Sequence, residues 1–470
     1  MLGFMSRTSR CPGRSRSSPM AIESLERRSM LATYTVTNTS GDVGMPGSLP
    51  WAVQQANYAT PNQLDFIVFD IAPAGPKTIT LSATLYLNDQ TVIDGKSQPG
   101  YAGEPVISVE GDGTVDSIFL LQNADGDANP SHVMSTVQGL GMFNFRANGV
   151  TIFNSTQANF IQDNWIGFRR IGGTVQRNTD LGPAYLHSRG IGIQSSWNTI
   201  RNNTISGVDN GITVGDPLES SATSPYVTNS FSNNRIGTDP AGTTAAGYGN
   251  TSDGIFLGKN AREMWIGPAN TLSGNASAGV ELLHATNWHN IIFSNFIGTD
   301  RTGTAAIGNG ELGVLLANGA NENAVGGPWG GNVISGNSLG GVALGTAAWG
   351  VADRNWVQYN TIGLNADQTA ALPGQQVGVS IEPGCTLNTV EWNTIGGSVS
   401  HGLVANGASR NSLSRNSVGR TAAGRVIANG GYGLVLLVGA NYNWALENSF
   451  GSNALGATWV SPSAVGTIGL

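Results

Sequence analysis

Short hydrophobic alternations, each led by a glycine, recur along most of the chain. They begin at Gly190, Gly211, Gly254, Gly279, Gly313, Gly341, Gly378, Gly402 and Gly433. Runs such as Gly254-Ile255-Phe256-Leu257, Gly279-Val280-Glu281-Leu282 and Gly313-Val314-Leu315-Leu316 put alternate apolar side chains on one face of an extended strand. From Gly254 onward the intervals are 25, 34, 28, 37, 24 and 31 residues, so short and long connections alternate. The long ones carry Ile236-Gly237-Thr238-Asp239, Ile297-Gly298-Thr299-Asp300, Ile362-Gly363-Leu364-Asn365 and Val418-Gly419-Arg420-Thr421. The repeating unit is a pair of coils, roughly 60 residues, with one polar loop per pair.

Asparagine keeps a fixed place beside the same Ile and Val positions, as in Asn198-Thr199-Ile200, Asn202-Asn203-Thr204-Ile205 and Asn332-Val333-Ile334. Amides at repeated corners can stack and hydrogen-bond to one another, with the glycines expected to supply turns of positive φ. Upstream, Tyr34-Thr35-Val36-Thr37, Phe66-Ile67-Val68-Phe69, Thr78-Ile79-Thr80-Leu81 and Thr91-Val92-Ile93 read as strands between turn residues. One helix interrupts them, Leu49 to Tyr58, N-capped by Ser48 with Pro50 in its first turn. Its weakly apolar face suits the covering of an exposed row of strands. No later segment has helical length and period, which excludes alternating βαβ units, and the repeat favours a solenoid among the all-β folds.

Composition narrows the function classes. Glycine makes up 66 of 470 residues without falling at every third position, which excludes collagen. With 23 basic and 30 acidic residues the net charge is −7, and no basic stripe persists, so a nucleic-acid partner is not expected. Cys11 and Cys385 are too few for a disulfide framework. No uninterrupted 18-residue apolar stretch predicts a transmembrane helix. Residues 1–32 differ from the rest: Arg7, Arg10, Arg14 and Arg16 lie among serines, as in a targeting segment or a disordered tail.

The segment from Asp42 to Glu110, with Gly47-Ser48-Leu49-Pro50-Trp51-Ala52-Val53-Gln54-Gln55-Ala56-Asn57 and Val92-Ile93-Asp94-Gly95, resembles the opening of bacterial extracellular proteins bearing parallel β-helix repeats. The Asn/Ile/Gly coils from about residue 140 to 456 resemble the same group, within the pectin-lyase-like superfamily. Leu25-Glu26-Arg27-Arg28-Ser29-Met30-Leu31-Ala32 resembles the N-terminal element of large surface or secreted proteins of planctomycete-type bacteria, with Arg27 where proline is usual. These resemblances imply an all-β fold, a single-stranded right-handed parallel β-helix with a short N-terminal capping helix, in a secreted or cell-surface protein. The expected layout is a leader over 1–32, an N-terminal cap and first coils over 33–110, and the β-helix proper over 111–470.

Candidate chemistry falls in four places. The polar segment from Asp163 to Arg201 holds Arg177, Asp180, His187 and Arg189, unusual in a charge-poor chain. A lyase acting on a uronic polysaccharide needs cationic neutralisation of the sugar carboxylate and a base; Arg177 or Arg189 could serve as the first and His187 as the second. Asn178-Thr179-Asp180 resembles the first acidic motif of polygalacturonases and Ser400-His401-Gly402 their histidine motif, but the paired aspartates and the Arg-Ile-Lys element of that family are not seen. Asp239 and Asp300 are expected in one column, two coils or ~10 Å apart, too far for a retaining pair, and serve as glycan contacts or as acceptors of turn amides. Trp197, Trp288, Trp356, Trp392 and Trp444 recur beside the polar corners and would stack on sugar rings if they point outward. Asp125, Asp127 and Asn129 alternate with small residues in a loop that could wrap a Ca2+ or form an Asx-rich turn. No other cofactor is indicated.

Two readings stay open on the sequence. One is an extracellular protein that binds a polysaccharide or contributes to the cell surface. The other is a polysaccharide lyase or glycoside hydrolase acting on an acidic polysaccharide. The partner in both is a polysaccharide or cell-surface glycan, and the oligomeric state is not indicated.

Overall fold

The structure is a computed structural model that describes residues 31–59, 63–122, 134–153, 156–215 and 225–469. Residues Leu31–Leu470 form one unit. Three parallel sheets of thirteen strands each wind as a right-handed β-helix. Sheet A runs from Thr33–Val36 to Ser412–Ser414, sheet B from Lys77–Leu81 to Ser449–Phe450, and sheet C from Leu85–Leu87 to Gly456–Val460. A representative coil passes through Thr199–Arg201 in sheet A, Thr204–Ile205 in sheet B and Asn210–Val214 in sheet C. The helix Leu49–Tyr58 forms as expected: Ser48 caps it, its hydroxyl accepting from the Trp51 amide at 3.1 Å, and Leu49, Ala52, Val53 and Ala56 are buried.

The glycine-led runs come into register in sheet C. Ile255 pairs with Val280, Val280 with Val314, Val314 with Val342, and Val342 with Val379. All five are buried and belong to one continuous apolar core. No coil could bury this face alone, so stability comes from stacking. Glycines of the polar corners, Gly207 and Gly336 among them, take the expected positive φ, whereas the leading glycines have another cause. They do not need positive φ; a Cβ on Gly254 would lie 2.5 Å from the carbonyl oxygen of Gly279, and one on Gly279 2.8 Å from that of Gly313. Close approach of successive coils selects glycine here.

At the two corners that bound sheet A, positive φ is supplied largely by residues other than glycine. Asp163, Asn202, Asn233, Tyr359, Trp392 and Arg415 all have φ between 52° and 60°. Each precedes an asparagine whose side chain turns inward. From Asn164 to Asn448 ten such asparagines form an unbroken ladder, each Nδ2 donating to the Oδ1 of the next at 2.9 to 3.2 Å. The same oxygens accept backbone amides, so polar groups buried at the corner are satisfied. A second ladder, Asn159 to Asn443, lines the corner between sheets C and A, with Met264 replacing one rung. A third, at the corner between sheets B and C, runs Asn250, Asn275, Asn309, Asn337 and breaks at Gln375, whose buried side-chain amide has no hydrogen-bond partner among the described residues.

Candidate active site on sheet C

Side chains at alternate positions of sheet C point away from the core. In successive coils the outward column reads Thr213, Phe256, Glu281, Leu315 and Ala343. Glu281 is the single carboxylate among these five. One coil earlier, Asp253 sits just ahead of Gly254, its amide donating to Asn210 Oδ1 at 3.1 Å and its Oδ1 accepting the Ala278 amide at 2.9 Å. The register of the two coils, with Ile255 opposite Val280, places the carboxyls of Asp253 and Glu281 near enough to act on each other electrostatically.

Both are nearly buried, 3 % and 7 % exposed. Burial pushes both upward; the neighbouring Asp253 charge adds to the effect on Glu281, which is pushed up to about 9. Glu281, raised to about 9, holds a proton at neutral pH, while the Ala278 amide and the Ser252 hydroxyl donate to the Asp253 carboxyl.

An open cavity of about 770 Å3 lies over the pair, within the usual range for ligand sites. Arg189, Lys259 and His284 bring positive or proton-bearing groups to it, Glu311 a further carboxylate and Trp349 an exposed ring. Ser277 donates to Glu311 Oε2 at 3.2 Å. Burial and the Lys259 charge hold His284 below the usual imidazole range. Its Nδ1 accepts the Thr286 amide at 3.1 Å, so in the neutral ring the proton is on Nε2.

Of the polar residues singled out in the sequence, Arg189 lines this cavity. His187 is almost fully exposed, with Nδ1 4.0 Å from Asp209 Oδ2. Asp163 lies at the corner between sheets A and B, paired with Lys96 at 2.5 Å. Arg177 and Asp180 pair with each other at 2.8 Å, Asp180 also accepting the Arg177 amide to close a short 3-10 turn. Asp239 and Asp300 stand in the loops after sheet B. Asp239 Oδ1 accepts the amides of Thr243 and Thr244, and Asp300 Oδ1 those of Thr304 and Ala305. Asn365 repeats the pattern with Thr369 and Ala370. His401 Nδ1 accepts the Tyr432 amide at 3.0 Å.

The tryptophans divide by position. Trp197 and Trp392 occupy positive-φ corners, Trp392 stacked on Tyr359 with 6.2 Å between centroids. Trp288 packs edge-on against His289 and under Arg262. Trp356 and Trp444 share one outward column of sheet A. Asp125, Asp127 and Asn129 lie outside the described residues. Among the described residues no group of three His, Cys, Asp or Glu is placed to hold a metal ion, and no helix is long and apolar enough to cross a membrane.

The sequence reading passed over Asp253, Lys259, Glu281, His284 and Glu311. A signal for Glu281 was present: it is an acidic residue at the outward place of a run whose counterparts carry Phe256, Leu315 and Ala343. Its partner was not visible, because Asp253 lies 28 residues away and only coil register joins them.

No protein-family model and no curated protein matches the sequence. Solved structures match the fold. Tailspike protein 3 of bacteriophage CBA120 aligns with a TM-score of 0.54 at 10 % identity, over 93 % of this chain and 62 % of the tailspike, so the chain spans less than two thirds of it. The Dettilon tailspike protein aligns at 0.49 and 14 % identity, over 91 % of this chain and 68 % of its own. The A-module of the Azotobacter vinelandii mannuronan C-5 epimerase AlgE4 aligns at 0.47 and 12 % identity, over 92 % and 99 %. At these identities the likeness is one of fold, the right-handed parallel β-helix.

Proposed function

We propose that this protein is a polysaccharide-active enzyme, a lyase or glycoside hydrolase, that cleaves an acidic polysaccharide in the sheet C groove. The observation that carries this reading is a buried carboxyl pair, with Glu281 holding a proton, beneath an open cavity bordered by Arg189 and Lys259. A protonated Glu281 is suited to deliver its proton to the departing glycosidic oxygen, a need common to both reaction types. Arg189 and Lys259 would neutralise a uronate carboxylate, which acidifies the adjacent C–H and holds the sugar in register. His284, with its proton on Nε2, is a hydrogen-bond donor to the substrate. Asp253, nearly buried and held by the Ala278 amide, is taken to support Glu281, and the exposed Glu311 is the group left to take a proton or activate water.

Action outside the cytoplasm, as the Leu25–Ala32 element implies, belongs to the same reading. Binding of Ca2+ by Asp125, Asp127 and Asn129 is a separate proposal, checked by the thermal midpoint with and without added Ca2+. The main test is incubation with polygalacturonate, alginate and other uronic and neutral polysaccharides, following ultraviolet absorbance of unsaturated products and new reducing ends. Absorbance with reducing ends identifies a lyase, and reducing ends alone a hydrolase. Absence of cleavage across the panel, or cleavage undiminished by Glu281→Gln, overturns the reading.

A further inference from the structure

The outer face of sheet A carries tryptophans in a regular column. Strand pairing aligns Trp265 with Ile291, Ala324, Trp356, Thr389, Ser412 and Trp444 in successive coils. A tryptophan thus returns every third coil, a spacing of ~14 Å along the solenoid. The three rings are similarly exposed, at 37 %, 40 % and 41 %. Between them stand Ile291 and Ala324 on one side of Trp356, and Thr389 and Ser412 on the other.

The gap between Trp265 and Trp356 is built up by a fourth ring. Trp329 stands 6.3 Å from Trp265, ring centre to ring centre and steeply inclined to it, and is half exposed. With Trp356 it lines a cavity of about 360 Å3 floored by Ala324 and bordered by His289, Glu322 and Gln358. Gln358 and the paired His289 and Glu322, 3.3 Å apart, offer hydrogen-bonding groups at the edge of an aromatic surface. Aromatic faces beside polar amides and carboxylates recognise rings that are apolar on one face and hydroxylated at the edge, as pyranoses are. Charge decides the kind of pyranose. Glu263, Glu322, Glu391 and Glu447 stand at the corners of this sheet with Arg262, Arg354, Arg410 and Arg415, and Arg415 is paired with Glu447 at 2.9 Å. No cationic excess is available for a polyanion.

We infer that the outer face of sheet A is a non-catalytic track for a neutral polysaccharide lying along the solenoid, with Trp265, Trp329, Trp356 and Trp444 as its stacking platforms. It is separate from the sheet C groove and does not depend on the reaction proposed there. The test uses the full chain carrying Glu281→Gln, so that cleavage cannot interfere. Tryptophan fluorescence and calorimetry are followed on titration with cello-, xylo-, manno- and maltohexaose, and with hexagalacturonate as the acidic comparator. At least one neutral hexaose should bind, and Trp329→Ala with Trp356→Ala should weaken it by at least about tenfold while the thermal midpoint stays within a few degrees. Failure of all four neutral hexaoses to bind at millimolar concentration overturns the inference, as does binding that survives the double substitution. A concentration-dependent dimer abolished by the same substitutions would assign these rings to a self-interface and overturn it equally.

Discussion

Sheets A and C are built from the same coils, yet their outer faces present opposite chemistry. Sheet C withdraws charge: Asp253 and Glu281 are nearly buried beneath the cavity, and the column continues through Leu315 and Ala343. Sheet A displays aromatic area: Trp265, Trp329, Trp356 and Trp444 are each more than a third exposed. The inward side chains of the two sheets are the same Ile, Val and Leu type in one core. The solenoid therefore fixes the inner face and leaves each outer face free to acquire its own task, because outward positions do not enter the stacking that stabilises the coil.

The largest effect should come from Glu281→Gln, which keeps the shape of the carboxyl but cannot deliver a proton. It should lower product release at least ~100-fold and leave binding of neutral hexaoses at sheet A intact. Loss of both together would break the separation of the two faces. Next in size, Asn323→Ala removes a rung at the corner shared by sheets C and A. Asn323 Nδ2 donates to Asn355, and its Oδ1 accepts both the backbone and side-chain amides of Asn290. Leaving buried amides unpaired should cost about 2 kcal/mol, read as a drop in the denaturation midpoint, and both faces should lose function on the same curve.

A smaller effect follows from protonation. The folded state raises Glu281 from an ordinary 4.5 to about 9, chiefly through burial. Folded protein thus keeps a proton that the unfolded chain gives up between those values. The contribution is full below about pH 4.5 and is lost as pH rises toward 9. The thermal midpoint should fall across that window, and Glu281→Gln should flatten the fall, whereas substitutions on sheet A should leave the slope unchanged. Smallest of all, Trp444→Ala, at the far end of the aromatic column, should weaken neutral-hexaose binding by less than about tenfold and leave cleavage untouched.

Legibility in the sequence followed the range of the interaction. The capped helix Leu49–Tyr58 was fully readable, since capping and the first-turn proline act within a few residues. The glycine-led strands were readable because a solenoid repeats its core in linear order. Positive-φ glycines such as Gly207 and Gly336 were readable beside their asparagines, whereas the inter-coil approach that selects the leading glycines has no local signature. At the candidate site only Arg189 was found. Trp356 and Trp444 were named without their common column, and Trp265 and Trp329 were passed over.

The chain by itself determined a stacked β architecture, its polar corners and its capping helix, because each depends on periodicity or on near neighbours along the chain. Only the folded coil decided which carboxyls meet and which tryptophans align. Asp253 reaches Glu281, and Trp265 falls into line with Trp356 and Trp444, through strand register alone. From Gly254 onward, equivalent positions in successive coils lie 23 to 37 residues apart along the chain, and these unequal intervals hide the alignment that a coil spacing of ~4.8 Å imposes in space.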